Sequence, residues 1–187
     1  MEQMLLDGEL DLFLGIMYQD HQKLYNAATL YDRIYMVCSD ELLKQYFPDY
    51  FEEVKLQSLH GVDLKRFSEI PYLLPQPSMR LRKMIDQCFT EAKITPKIFL
   101  EASTTELLMA LYPHNYGALF CTQMRLPMLW KEYPEANAFP MMLNGNIIQH
   151  RLVLAYHRER TLYAYTSDLI ALFQQYLMEI ANLRPNT

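Results

Sequence analysis

The chain has 187 residues, 51% of them hydrophobic and 13% aromatic, and its formal net charge is −5. This size and composition predict a folded protein with a sizeable buried core, built as one domain or as two small lobes. The negative charge argues against direct binding of DNA, because proteins hold nucleic acids mainly through Lys and Arg. The sequence contains neither an apolar run long enough for a membrane span nor a secretory signal, so we expect a cytoplasmic protein without a membrane partner.

The sequence offers no metal, cofactor or catalytic motif. Its five histidines have no metal-ligand spacing, and it lacks the glycine-rich nucleotide loops and the nucleophile motif of hydrolases. Asp11 and Glu101 fall in predicted strands without a partner that the sequence identifies. The cysteines are widely spaced between apolar neighbours, which predicts free buried thiols at Cys38, Cys88 and Cys121. We therefore expect a protein that needs no cofactor and is not an enzyme.

The N-terminal third predicts a helix end, two buried strands and a short helix. Gly8 closes the first helix, as glycine often does. A polar loop separates the apolar runs of the two strands, at residues 10–16 and 33–38. Ser39 and Asp40 are candidate caps for the short helix. Beyond it we expect an irregular insertion loop and then one or two helical turns, at residues 49–60 and 62–67.

The stretch from residue 70 to residue 121 predicts a βαβαβ unit. The hydrophobic period changes from about 2 to about 3.6 and back, which indicates strands alternating with amphipathic helices. Ser78 is the expected N-cap of the first helix, and Ser103 with Glu106 forms a capping box for the second. Right-handed crossovers make the sheet of such a unit parallel and cover it with helices. The five elements are expected at residues 71–75, 78–92, 98–100, 103–111 and 116–121.

A ligand site is expected at one edge of this parallel sheet. Ligands bind such sheets where the carboxyl ends of strands meet the N-termini of helices. The residues in these three loops are our candidate ligand-binding residues: Gln76, Pro77, Ser78, Met79, Arg80, Thr104, Thr105, Cys121 and Thr122. Gly15 and Ile16 end the first predicted strand and join this set if their own sheet is parallel.

Positive charge crowds the start of the helix that follows Ser78. Arg80, Arg82 and Lys83 lie in its first turn, where cations oppose the helix dipole. A bound carboxylate or phosphate would explain them, because free backbone N–H groups and arginine side chains both favour anions. The alternative is a solvated charged face. For Ser103, helix capping is the alternative to a hydrogen bond with a ligand.

The C-terminal third of the sequence predicts a final helix that packs against the sheet formed by the N-terminal strands. Its helix, strand, turn, strand and final helix are expected at residues 125–133, 139–143, 144–145, 151–157 and 166–180. Thr166 or Ser167 is the expected cap of the final helix. That helix has an apolar face and needs a partner sheet, and the sheet still uncovered holds residues 10–16.

These elements predict an α/β fold of two Rossmann-like lobes with parallel-rich sheets. Lobe I would hold residues 1–34 and 152–187, and lobe II would hold residues 35–151. The strands at residues 33–38 and 151–157 would cross between the lobes as a hinge. The cleft that such a hinge spans is the expected ligand site.

With this layout, the sequence resembles the effector-binding domain of LysR-type transcriptional regulators, two-lobed relatives of the periplasmic binding proteins. The segments that match the family pattern begin at Leu5 (LLDGELDL), Leu30 (LYDRIYMV), Asp63 (DLKRF), Pro71 (PYLL), Leu81 (LRKMID), Ile94 (ITP) and Tyr116 (YGAL). The family has paired glycines before its third strand, where this chain has Asn115 and Gly117, and Asn tolerates the left-handed turn. Thr122 replaces the family's proline after that strand.

The resemblance implies a domain that binds a small, acidic effector and forms dimers. It also implies a first lobe truncated at its N-terminus, without the family's first strand and helix, and without a DNA-binding domain. DNA would be bound only through that absent winged helix-turn-helix. Two alternatives stay open: a stand-alone small-molecule binding protein, and an enzyme on a related two-lobed fold.

Overall fold

The computed structural model describes residues 2–17 and 19–183. They divide into two compact units, of which unit 1 holds residues 2–17, 19–32 and 149–183 and unit 2 holds Arg33–Ile148. The helices are α1 Glu2–Asp7, α2 Asp40–Tyr46, α3 Phe51–Ser58, α4 Arg80–Ala92, α5 Thr105–Ala110, α6 Leu126–Glu132 and α7 Ala164–Ala181. The strands are β1 Phe13–Ile16, β2 Leu24–Cys38, β3 Pro71–Pro75, β4 Lys97–Ala102, β5 Ala118–Thr122, β6 Asn137–Pro140, β7 Met142–Leu143, β8 Asn146–Ile147 and β9 Gln149–His157.

The sheet of unit 2 confirms the predicted βαβαβ unit. Strand β3 lies between β4 and β5 and pairs with both in parallel. The last part of β2 pairs antiparallel with β5 on one side and with β6 on the other. The fold is therefore a mixed α/β fold. Strand β4 is the outermost strand on its side of this sheet. Three consecutive apolar side chains on β4 are exposed, at Ile98, Phe99 and Leu100.

Two apolar cores cover the two faces of this sheet, because side chains alternate along each strand. Tyr72 points into one core, where its ring packs edge-on against Phe89 of α4 with 5.0 Å between centroids. Leu73, the next residue, belongs to the other core, together with Leu108 of α5 and Leu126 of α6. The helices on the two faces hold β3, β4 and β5 in place and so fix the edge where their carboxyl ends meet.

The turn before β5 has the backbone that its sequence predicts. Asn115 has φ +54°, in the left-handed region that asparagine tolerates. Gly117 lies so close to β3 that a Cβ atom there would be 2.3 Å from the carbonyl oxygen of Pro71. The glycine is therefore required by the close approach of two backbones.

Unit 1 is built around the strand order β1, β9, β2. Strand β1 pairs antiparallel with β9, so that Gly15 faces Val153 and Ile16 faces Leu152. Its core includes side chains from α1, β1, β2, β9 and the residue that follows β1: Leu5, Phe13, Met17, Leu24, Val153 and Ala155. The terminal helix α7 contacts β2, where Gln174 Nε2 donates to the carbonyl oxygen of Ala27 at 2.8 Å.

Several sequence predictions about local structure are wrong. Residues 49–60 contain helix α3, whose acidic first turn at Glu52 and Glu53 suits the helix dipole and whose apolar pattern is weak. Residues 62–67 form turns without a helix. Asp11 is exposed and precedes β1, which begins at Phe13.

The predicted caps of three helices are also wrong, whereas the Ser39 cap of α2 is confirmed by its bond from the Leu42 N–H. Helix α4 begins at Arg80 with Met79 as N-cap, not Ser78, because Met79 N–H closes a turn on the carbonyl of Gln76. Thr104, not Ser103, caps α5. Helix α7 begins before Thr166 and Ser167, with Tyr163 as its N-cap. Among the described residues, no helix combines the length and apolar character needed to cross a membrane.

Candidate functional site

The candidate site is the edge of the unit 2 sheet at which β3, β4 and β5 end. These strands are neighbours and parallel, so the loops that follow them lie side by side. A hydrogen bond of 2.9 Å from Gln76 N–H to the carbonyl of Ala102 joins the ends of β3 and β4. This is the edge at which parallel sheets bind ligands.

The loop after β3 is the most accessible part of this edge. Gln76, Pro77 and Ser78 are exposed, Met79 is half-buried, and Arg80 is exposed as the first residue of α4. Lys83 N–H bonds to the carbonyl of Met79 and closes the first turn. The backbone N–H groups ahead of it have no acceptor within the helix, as at every helix start.

Arg82 has a structural role, which corrects its interpretation as an anion-binding cation. Its side chain is only 9% exposed. Nη1 donates to the carbonyl of Pro75 at 2.8 Å and to Oε1 of Glu101 at 2.5 Å, and Nε donates to Oδ1 of Asp86 at 2.8 Å. Burial opposes the charge on Arg82, but the bonds to Glu101 and Asp86 outweigh burial and raise the pKa of the guanidinium.

The loop after β4 offers few free polar groups. Oγ1 of Thr104 accepts the N–H of Leu107 at 3.3 Å and so caps α5. Thr105 is buried, and Ser103 is exposed. Glu106 forms an ion pair with Arg125, which lies in the 3-10 turn after β5. This ion pair links the loops that follow β4 and β5.

The end of β5 places one half-buried hydroxyl at the edge. Thr122 is half-buried and makes no side-chain cap, whereas Cys121 is fully buried in an apolar core. Only the backbone of Cys121 can therefore meet a ligand. Gln123, which follows Thr122 at the predicted edge, is a buried polar side chain.

Gly15 and Ile16 lie in unit 1, at the end of β1. Their inclusion assumed a parallel sheet, and β1 is antiparallel to β9. The assumption that placed Gly15 and Ile16 among the candidate ligand-binding residues is therefore wrong.

Four cavities in the described part of the chain lie away from the predicted residues. In unit 2, one of about 200 Å³ is lined by Cys88 and Glu91, and one of about 230 Å³ by Arg33 and His60. In unit 1, the two cavities are about 300 Å³ and 420 Å³. None of these four cavities is lined by a candidate ligand-binding residue.

A polar network at the opposite edge of the unit 2 sheet was missed by the sequence analysis. Asp40 accepts from Lys55 Nζ at 2.7 Å and from Asn137 Nδ2 at 2.8 Å. Burial alone would raise the pKa of the Asp40 carboxyl, but these two bonds outweigh it and lower the pKa. Ser39 donates to Asn115 at the same edge. The sequence signal that could have indicated this network is Asn137, a polar residue next to the apolar residues of β6.

The cysteines are buried and free, as predicted. Burial raises the pKa of Cys88 to about 11 and also raises the pKa of Cys38. Within the described residues, no group of histidine, cysteine and acidic side chains could hold a metal ion.

Comparison with known proteins identifies the family. Residues 1–178 match the family described as the LysR substrate binding domain. The chain belongs to this family. It is an effector-binding regulatory domain of the LysR type, and this class of domain regulates transcription and is not enzymatic. The predicted function is thereby confirmed. No match was found among curated protein sequences.

Solved structures of LysR regulators share the fold at low sequence identity. The effector-binding domain of QuiR, in complex with shikimate, is 15% identical with a TM-score of 0.52, covering 96% of this chain and 74% of that one. OxyR of Corynebacterium glutamicum is 16% identical with a TM-score of 0.60, covering 100% and 56%. The HypT regulatory domain of Salmonella typhimurium is 15% identical with a TM-score of 0.56, covering 96% and 77%. This chain therefore spans about three quarters of the isolated domains and about half of the OxyR chain.

Proposed function

We propose that the chain senses a small anionic metabolite, which binds at the carboxyl edge of β3, β4 and β5 in unit 2. The observation that carries this proposal is the family match over residues 1–178. The exposed loop from Gln76 to Arg80 supports the location, because it combines the start of helix α4 with an exposed arginine. The half-buried hydroxyl of Thr122 would supply a neutral hydrogen bond.

In this proposal the candidate residues have different roles. Arg80 carries the charge that attracts the anion. The loop residues Gln76, Pro77, Ser78 and Met79 shape the site and present backbone groups. Thr104 and Cys121 contribute through the backbone, because their side chains are used in a cap and in the core. Thr105 is buried and supports the loop.

The proposal extends to regulation. We infer that the two units act as the two lobes of a sensor, that the stretches around Arg33–Cys38 and 151–157 act as hinge strands, and that ligand binding shifts the population of states. The location of the ligand between two lobes stays a prediction. A chain of this kind would affect DNA in the cytoplasm only through a separate DNA-binding domain, with coupling between the two sites.

The test is a thermal-shift screen of the 187-residue chain. The panel contains shikimate, which the QuiR domain binds, together with other small carboxylates, phosphorylated metabolites and neutral amino acids. A ligand at a hundred times its Kd stabilises by about 2.7 kcal/mol, which corresponds to a shift of about 5–10 °C for a domain of this size. We expect a carboxylate or phosphate to give such a shift. Stabilisation only by neutral compounds, or by no compound, would contradict the proposal.

A further inference from the structure

One cavity of unit 2, of about 230 Å³, has an arginine and a histidine in its lining. Arg33 lies on β2, and His60 lies in the turn after α3. Both side chains are exposed. The other lining residues carry no charge: Tyr35, Leu59, Ala138, Pro140 and Ile147. We call this space the Arg33 cavity. Its lining therefore combines two hydrogen-bond donors with apolar walls and contains no acidic side chain.

Arg33 differs from the other arginines that the structure describes. Within residues 2–17 and 19–183, every arginine except Arg33 has a polar or electrostatic partner in the protein. Four of them form ion pairs, namely Arg66, Arg82, Arg125 and Arg151, and Arg158 and Arg160 donate to backbone carbonyls. Arg80 also has such a partner. The five N–H donors of the Arg33 guanidinium are thus available to a ligand.

The backbone around the Arg33 cavity does not supply an acceptor for this guanidinium. The carbonyl of Gln57, near the end of α3, accepts the N–H of His60 at 3.3 Å. The carbonyl of Pro140 accepts the N–H of Val62 at 3.0 Å. These carbonyls already have backbone donors, so the strongest acceptor for Arg33 would be an anion that enters from solvent.

The chemistry of the lining favours a phosphate group. Arg33 and His60 belong to two separate elements that line one space, so one anion can accept hydrogen bonds from both. A tetrahedral phosphate offers oxygens in several directions, and two of them match the fork of a guanidinium. The apolar walls strengthen such a charged contact, because they lower the local dielectric constant. Pockets for drug-sized ligands measure about 300–1,000 Å³, so this cavity suits a smaller ligand.

We propose that the Arg33 cavity binds the phosphate group of a small ligand, with Arg33 and His60 as the donors. The chain passes between the two units at Asp32–Arg33 and again at Ile148–Gln149. Because Arg33 and Ile147 both line the cavity, a bound ligand would contact the chain beside both connections. None of the residues proposed for the effector site lines this cavity, so the inference does not depend on the proposed function.

The test is a titration of the isotope-labelled 187-residue chain with inorganic phosphate, at neutral pH and constant ionic strength, followed by amide NMR spectra. We expect saturable shifts at the amides of Arg33, His60 and Ile147, with a Kd of about 1 mM or below. Shifts confined to the loop from Gln76 to Arg80 would place the phosphate at the proposed effector site. That result would overturn this inference and would leave the proposed function standing.

Four variants assign the shifts to the cavity. Arg33→Gln should raise the Kd for phosphate at least about tenfold, and His60→Gln should raise it about fivefold, because each loses a donor to the anion. Ile147→Glu should abolish binding, since its carboxylate would pair with Arg33 and repel phosphate. Lys131→Gln is the matched control, because it removes one positive charge from an exposed position of α6 outside the cavity. Its Kd should equal that of the wild type.

Three results would overturn the inference. The wild type could give no saturable shift at phosphate concentrations far above about 1 mM. Arg33→Gln could bind phosphate as well as Lys131→Gln does. Acetate could bind as tightly as phosphate, which would exclude recognition of a phosphate group. If Ile147→Glu alters the amide spectrum throughout unit 2, the Arg33→Gln result decides, because the exposed Arg33 side chain has no partner among the described residues.

Discussion

Arg82 and Glu101 join helix α4 to the edge strand β4, through a bond of 2.5 Å from Nη1 to Oε1. The same nitrogen also donates to the carbonyl of Pro75 at the end of β3. One buried guanidinium therefore ties together the carboxyl ends of two strands and the helix that follows the first. The candidate ligand loop from Gln76 to Arg80 lies between these attachment points.

Replacing Arg82 by Met should destabilise the protein by about 1–3 kcal/mol, because the carbonyl of Pro75 and the carboxylate of Glu101 lose a charged donor. The exposure of Glu101 limits the loss, since water can solvate its carboxylate. The matched control is Lys97→Met, which breaks an exposed ion pair with Glu69 and should cost about 0–1 kcal/mol. Urea unfolding measures the loss in the free energy of unfolding for both variants. Equal losses in the two variants would show that Arg82 has no special structural role.

Stability at acidic pH should depend on Asp40. Its pKa in the folded protein lies below that in the unfolded chain, so its contribution is complete above the unfolded pKa, near 4, and is lost as the pH falls through the folded value. Asp40→Asn should therefore lose less stability than the wild type between about pH 5 and pH 2. Urea unfolding at several pH values tests this. Parallel pH profiles for the two proteins would refute it.

Gly117→Ala should destabilise the fold by about 1–3 kcal/mol, because the added methyl group would meet the Pro71 carbonyl. Gly145→Ala is an informative comparison, since no atom lies within 4 Å of a Cβ there and only the positive φ of 74° opposes alanine. That backbone strain costs about 1–2 kcal/mol. We expect Gly117→Ala to affect the binding edge as well, through the β3–β5 register, which amide exchange of β5 can detect. Unchanged exchange would contradict this.

The three thiols should react slowly with a disulfide reagent in the native protein. Cys38, Cys88 and Cys121 are buried, and the pKa of Cys88 is raised to about 11. The thiolate is the reactive form, so both access and ionisation are low. All three should react at once in denaturant. Rapid labelling of any cysteine without denaturant would show that its core opens readily.

The βαβαβ unit was predictable because its periodicity is local. Hydrophobic residues cluster in the short run of β3 and recur at helical spacing in α4. The left-handed turn before β5 was also predictable, because asparagine tolerates the positive φ that Asn115 adopts. The order of strands in the sheet depends on contacts between residues that are far apart in the sequence. The sequence predicted β4 as an apolar strand but not as an exposed edge, because exposure depends on which strands lie beside it.

The candidate site was predictable as an edge and not as a set of contacts. Parallel strands bring Gln76 and Thr122 to the same edge once their order is known. The role of Arg82 was misjudged because its partner Glu101 is nineteen positions away and lies on another strand. Likewise Asp40 and Asn137 are 97 positions apart, so their network could not be found by spacing.

The most direct measurement of the central claim is calorimetric titration of the first anionic compound that stabilises the chain. It should be done with the wild type, Arg80→Gln and Lys93→Gln. The two variants remove the same charge from opposite ends of α4. If the anion binds at the carboxyl edge of β3, β4 and β5, Arg80→Gln raises the Kd at least about tenfold and Lys93→Gln leaves it unchanged. An unchanged Kd for Arg80→Gln, or equal weakening by both variants, would contradict a binding site at this edge.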